Sequence, residues 1–221
     1  MQDIINNYDL FIFDLDDTLV KTEHLHYISW LSVLKRSIGE YFYISFSIYC
    51  SKFHSNKVDC IRQYLKNELC IQDYESCVQE KNDYYLDLIT KEKDKLALIA
   101  GVEAFITEVV KNKKEFVIVS NTQKINVMFF LDLFPILQKC SKVYYREMFR
   151  NKKPNPECYF MVCTDFPNTT KIGFEDSITG IHALNGVEEI DTVFINNKDY
   201  YYYDYILANY KILKCIENYN W

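Results

Sequence analysis

The sequence predicts an α/β protein, a parallel-sheet core with a helical domain inserted after the first strand. Three observations predict it. Short apolar runs recur along the chain, and each is followed by a stretch with helical spacing. Polar clusters stand directly after several of those runs. Between residues 22 and 95 there is no Pro and one Gly, and the apolar residues there fall at helical intervals.

The elements follow in order. Residues 8–13, Tyr-Asp-Leu-Phe-Ile-Phe, read as a buried strand that ends at Asp14. The insert comes next, and its stripes are Leu25, Ile28, Leu31 and Leu34, then Ile61, Tyr64 and Leu65, then Tyr85, Leu88 and Ile89. Its hinges are expected near 20–23 and 96–101. Further strands are expected at 115–120, 142–145, 170–174 and 191–195, with helices at 102–112, 123–133, 156–164 and 177–186. Strands alternating with helices of this length give a Rossmann-like sheet. The expected domains are an α/β core of residues 1–20 and 97–221 and a helical insert of residues 21–96. The Tyr-rich stretch 197–205 reads as a packed or half-exposed amphipathic turn.

Composition narrows the function classes. The chain has 221 residues, 49% of them hydrophobic, and a net charge of −6 with no basic block. A nucleic-acid surface would need clustered Lys and Arg, so none is expected. No apolar run reaches membrane length, and the N-terminus does not resemble a signal peptide. Eight cysteines form no Cys-x-x-Cys pair and no zinc spacing, which fits reduced thiols in a cytoplasmic protein.

Four clusters carry candidate chemistry. In Asp14-Leu15-Asp16-Asp17-Thr18, side chains at i and i+2 of an extended segment point the same way, so Asp14 and Asp16 can share one pocket. One carboxylate can attack phosphorus while the other moves the proton. An ordinary acidic loop is the alternative. Ser120-Asn121-Thr122 offers a hydroxyl and backbone N–H groups for phosphoryl oxygens, or a helix N-cap. Lys152-Lys153-Pro154-Asn155-Pro156 offers a cation fixed at a turn, or a solvated basic turn. Gly173-Phe174-Glu175-Asp176-Ser177, followed by Gly180, offers two acids suited to Mg²⁺, or a cap supplied by Asp176 or Ser177. All four follow strands, so all would meet at one edge of the sheet.

These four motifs, in this order, resemble the haloacid dehalogenase superfamily, in its branch of β-phosphoglucomutase-like phosphatases and mutases; the likeness covers roughly residues 8–196. The resemblance implies Asp14 as nucleophile and Asp16 as acid/base. It implies Ser120 and Asn121 as phosphate ligands and Lys153, with Lys152 as a substitute, as the motif lysine. Mg²⁺ would be held by Asp14, Asp16 through its carbonyl, Asp176 and Glu175, the last as ligand or as a neighbouring acid. Asp16 also argues against dehalogenation, since that branch lacks it. The insert would be a cap, with His26, Lys57 and Lys81 as substrate contacts; each is otherwise a surface or helix polar residue. His24, His54 and His182 match no motif. Asp17 stands where the mutases usually carry Gly, and Lys57 where they often carry Arg.

The resulting expectation is a Mg²⁺-dependent phosphohydrolase of a small phosphorylated metabolite, a sugar phosphate in the first instance. It would act alone as a monomer, away from nucleic acid and membrane. A sugar-phosphate mutase is the first alternative and an inactive binding protein the second.

Overall fold

The computed structural model describes residues 1–54, 58–196 and 203–219. The chain divides into two compact units, one of Met1–Lys21 with Ala97–Trp221 and one of Thr22–Leu96.

The first unit is built on a six-stranded parallel sheet of order β3-β2-β1-β4-β5-β6. Its strands are β1 (Leu10–Phe13), β2 (Glu115–Val119), β3 (Lys142–Tyr144), β4 (Lys171–Glu175), β5 (Ile190–Ile195) and β6 (Lys214–Ile216). Every residue of β1 is buried, because helices cover both faces of the sheet, so the strand shows no polar alternation. Leu10 and Ile12 join Val117, Tyr144 and Tyr159 on one face. On the other, Phe11 and Phe13 pack against Phe105 and Phe174 at centroid separations of 4.7 to 6.3 Å. The covering helices are α6 (Val102–Lys111), α7 (Lys124–Leu133), α8 (Glu157–Asp165) and α9 (Ile178–Asn185). Elements beyond the sequence reading include a short N-terminal helix α1 (Gln2–Asn7) and the edge strand β6.

β1 lies between β2 and β4, so the chain winds outward in one direction from β1 to β3 and in the other from β4 to β6. In such sheets the carboxyl ends of the strands around the central one form the ligand crevice.

The second unit is helical: α2 (Glu23–Ile38), α3 (Phe46–Lys52), α4 (Val58–Asn67) and α5 (Tyr74–Lys91). Ser45 caps α3 and Asp73 caps α5 with side-chain oxygens. The stripe on α2 differs from the expected one. Tyr27, Trp30, Val33 and Leu34 are buried, while Leu25, Ile28 and Leu31 are half-buried. The reason is aromatic: Tyr27 meets Phe46 and Tyr49 of α3, and Trp30 meets Phe53 at 4.6 Å, so the buried face is turned toward those rings. Lys57 lies outside the described residues, as do 197–202; residues 203–205, read from sequence as part of a turn, instead begin the helix α10 (Tyr203–Asn209). No helix among the described residues is long and apolar enough to cross a membrane. All eight cysteines are free thiols.

Candidate active site

The first turn after β1 sets the site. Asp14 is buried, and its N–H continues the ladder by donating to Phe174 O at 3.0 Å. Asp17 follows with φ 53° and closes the loop by donating its N–H to Val20 O at 2.8 Å. Glycine would suit that left-handed backbone, and Asp is among the few other residues that adopt it at small cost.

Lys153 completes the centre. It is almost fully buried, and its Nζ donates to Asp14 Oδ1 at 2.7 Å, Glu175 Oε1 at 2.6 Å and Val119 O at 2.7 Å. Three donors meet three acceptors, so the ammonium is immobilised. Burial works against its charge, but Asp14 and Glu175 outweigh it and hold Lys153 well above the ordinary lysine range. Lys152 is exposed and takes no part in this arrangement. The backbone of Lys153 is fixed by Asn121, which accepts from its N–H through Oδ1 (3.0 Å) and donates to its carbonyl through Nδ2 (3.3 Å). The Asn121 side-chain amide is thus spent on the lysine backbone, which leaves the Asn121 backbone N–H as its means of reaching an anion.

Ser120, at the end of β2, is buried; its Oγ approaches Asp16 Oδ2 at 3.4 Å and accepts from the Thr122 N–H at 3.0 Å. It does not cap α7, whose first N–H, that of Lys124, is met by Glu147. At the end of β4 the cap of α9 is Ser177, accepting from the Gly180 N–H at 3.0 Å. Asp176 is thereby left to the site, where Thr18 Oγ1 donates to its Oδ1 at 3.2 Å.

Glu175 is fully buried. Besides Lys153 its Oε1 accepts from Tyr159 Oη at 2.7 Å, and its Oε2 from Ser177 Oγ at 3.3 Å. Its carboxylate fills the space a side chain at Gly180 would occupy, with Oε2 only 1.9 Å from where a Cβ would stand. Gly180 is required by that close approach. Tyr159 had no signal in the sequence beyond its place in the apolar face of α8.

Asp14, Glu175 and Asp176 present carboxylate oxygens within 4.8 Å of one another, all buried. Burial first, and then the charges of Glu175 and Asp16, push Asp14 well above the carboxylate range, with Lys153 opposing them. Three buried carboxylates share one buried ammonium, and the donors are all oxygen. A hard divalent cation fits both the charge and the chemistry. Because Glu175 is committed to Lys153, Tyr159 and Ser177, the side chains suited to ligate it are Asp14 and Asp176.

In the helical unit, Lys81 is buried with its Nζ 2.8 Å from His26 Nδ1, and the His26 ring stacks on Tyr85 at 4.0 Å. Glu23 is buried beside them and bonded to His54 at 3.0 Å and to the Tyr49 hydroxyl. Burial pushes Glu23 up, but His54, His26 and Tyr49 together bring it down to about 2. His24 is exposed, and His182 approaches Tyr210 at 3.4 Å.

A family model for haloacid dehalogenase-like hydrolases matches residues 11–187, most of the chain. Among solved structures, the chain is similar to β-phosphoglucomutase from Clostridium difficile, at 23% identity over 96% of this chain and 91% of that one, with a TM-score of 0.73. It is similar to CbbY from Rhodobacter sphaeroides in complex with phosphate, at 18% identity over 96% and 94%, with a TM-score of 0.77. The structure of a predicted phosphoglycolate phosphatase from Haemophilus somnus matches at 18% identity over 96% and 95%, with a TM-score of 0.75. At these identities the likeness is one of fold. No curated protein sequence matches the chain.

Proposed function

The chain belongs to the haloacid dehalogenase-like hydrolases, and we propose that it is a Mg²⁺-dependent phosphohydrolase of a small phosphorylated metabolite, a sugar phosphate in the first instance. The observation that carries this reading is Lys153, buried and bonded at once to Asp14 and Glu175 beside the carboxylate of Asp176. A structural ion pair would balance its charges; this cluster has acidic charge to spare and opens onto the strand ends where ligands bind.

Asp14 attacks phosphorus in line, and a carboxylate–phosphorus bond forms as the ester P–O bond breaks. Asp16, beside Ser120 at the mouth of the site, gives its proton to the leaving oxygen. It then takes a proton from the water that hydrolyses the aspartyl-phosphate, which returns Asp14 and releases phosphate. The Ser120 hydroxyl and the Asn121 backbone N–H hold the phosphoryl oxygens, and the fixed charge of the Lys153 ammonium offsets that of the transferring group. Asp14 and Asp176, with the Asp16 carbonyl, would hold Mg²⁺, which when bound supplies charge stabilisation to the transferring group.

The helical unit, residues 21–96 by the sequence reading, is proposed as the cap that selects substrate, with His26 and Lys81 as its contacts and Lys57 as a third. The juxtaposition of Lys81 and His26 favours a second reading, a mutase that returns the phosphoryl group to a sugar hydroxyl. A screen of phosphorylated metabolites with and without EDTA tests the first reading: Mg²⁺-dependent phosphate release is expected, and no turnover of any member would overturn it. Incubation with β-glucose 1-phosphate and a trace of the bisphosphate separates the two, since glucose 6-phosphate marks the mutase and free phosphate the hydrolase.

A further inference from the structure

We propose that Tyr219 is a positioning residue of the active site, which from the C-terminal segment braces the nucleophile loop and, through Thr18, orients Asp176. The inference rests on the reading of Asp176 as a metal ligand.

After β6 the chain turns at Asn218, with φ 51°, and returns beneath the loop that follows β1. There Tyr219 is buried, only 3% exposed. Its ring stacks on Phe174 at 6.0 Å and packs against Phe105 at 5.5 Å and Phe13 at 6.3 Å. Packing alone would be served by Phe. The hydroxyl does something further: it donates to Thr18 O at 3.1 Å. Thr18 is fully buried, and a buried carbonyl requires a donor. The side chain of the same residue donates to Asp176 Oδ1. A rigid phenol, fixed by the ring cluster, thus sets the backbone of Thr18, and Thr18 sets the carboxylate.

Tyr219 also fixes the other segment at this point. Its N–H donates to Ala100 O at 3.0 Å. Residues 98–99 pair with 19–20, through a Val20–Leu98 bridge and a bond from Ile99 N–H to Leu19 O at 2.8 Å. Gly101, with φ 86°, is held so close that a Cβ there would lie 2.9 Å from Tyr219 Cβ. The outgoing loop and the returning segment are therefore tied by one residue that lies at the far end of the chain.

The test uses the full chain and Mn²⁺ as a directly measurable substitute for Mg²⁺. Mn²⁺ binding is measured by calorimetry without substrate, and kcat and KM with p-nitrophenyl phosphate. Tyr219→Phe keeps the ring and removes the hydroxyl. The expected result is a Kd for Mn²⁺ raised by roughly three- to tenfold, kcat lowered by a similar factor and KM changed by less than about twofold. Thr18→Val should weaken Mn²⁺ binding comparably, and adding Tyr219→Phe to it should cost less than the product of the two. Unchanged Kd and kcat in Tyr219→Phe, with Mn²⁺ binding lost in Asp176→Asn, would overturn the positioning role alone. If Asp176→Asn binds Mn²⁺ as the parent does, the metal assignment fails and the inference fails with it.

Discussion

The two units bury charge in different ways. In the α/β unit, Asp14, Glu175 and Asp176 converge on a single ammonium, and the excess is acidic. In the helical unit, the buried Glu23 faces His54, with His26 and Lys81 close by, so one carboxylate and one ammonium are buried among imidazoles. Burying an unbalanced charge is costly, so an imbalance kept inside a folded unit marks a place where something else is to bind. The acidic cluster suits a hard divalent cation, while the helical cluster pairs its carboxylate and its ammonium with neighbouring imidazoles.

Removing the nucleophile should have the largest effect. Asp14→Asn is expected to lower kcat by about four orders of magnitude while the far-UV spectrum is unchanged. Full activity in that variant would break the assignment of the acidic cluster to chemistry.

Lys153→Met leaves Asp14 and Glu175 buried without their cation. It should destabilise the protein by about 3–5 kcal/mol in urea unfolding as well as abolish turnover. Loss of activity without loss of stability would mean that the acidic cluster tolerates its own excess.

Glu23→Gln probes the helical unit. Glu23 sits at about 2 against an ordinary 4.5, so its stabilising contribution is present above pH 4.5 and is lost as the pH falls toward 2. The variant should be less stable than the parent by about 3 kcal/mol at pH 6, and the difference should shrink below pH 4.5 in denaturant titrations. A difference independent of pH would show that shape and not charge holds this cluster.

Lys81→Met should raise KM about tenfold with little change in stability, the signature of a group that meets substrate. A large loss of stability with KM unchanged would return Lys81 to a structural role.

Asp17→Gly should alter stability by less than about 0.5 kcal/mol and leave the ratio of phosphate released to isomer formed unchanged. A shift toward isomer would make Asp17 a determinant of the reaction and not only of backbone geometry.

Much of the core was legible because its signals are local. The β1 run of Leu-Phe-Ile-Phe can only be buried on both faces, and Asp14 at its end must then face the crevice. Asp14 and Asp16 share a side by the two-residue period of an extended chain. The α2 stripe was misjudged because helical spacing fixes a face only to within a residue or two, and the aromatics of α3 decided which side was covered.

The sequence by itself determined the α/β class, the succession of strand-end motifs and the residue types that meet there, since each depends on neighbours within a few positions. Only the tertiary structure turned Asn121 toward the lysine backbone, gave the cap of α9 to Ser177 and so left Asp176 to the site. It alone brought Tyr159 to Glu175, and Tyr219 to Thr18 across 201 positions of chain. Such contacts depend on which strands lie side by side, and strand order is fixed by packing over the whole sheet, which no local pattern records.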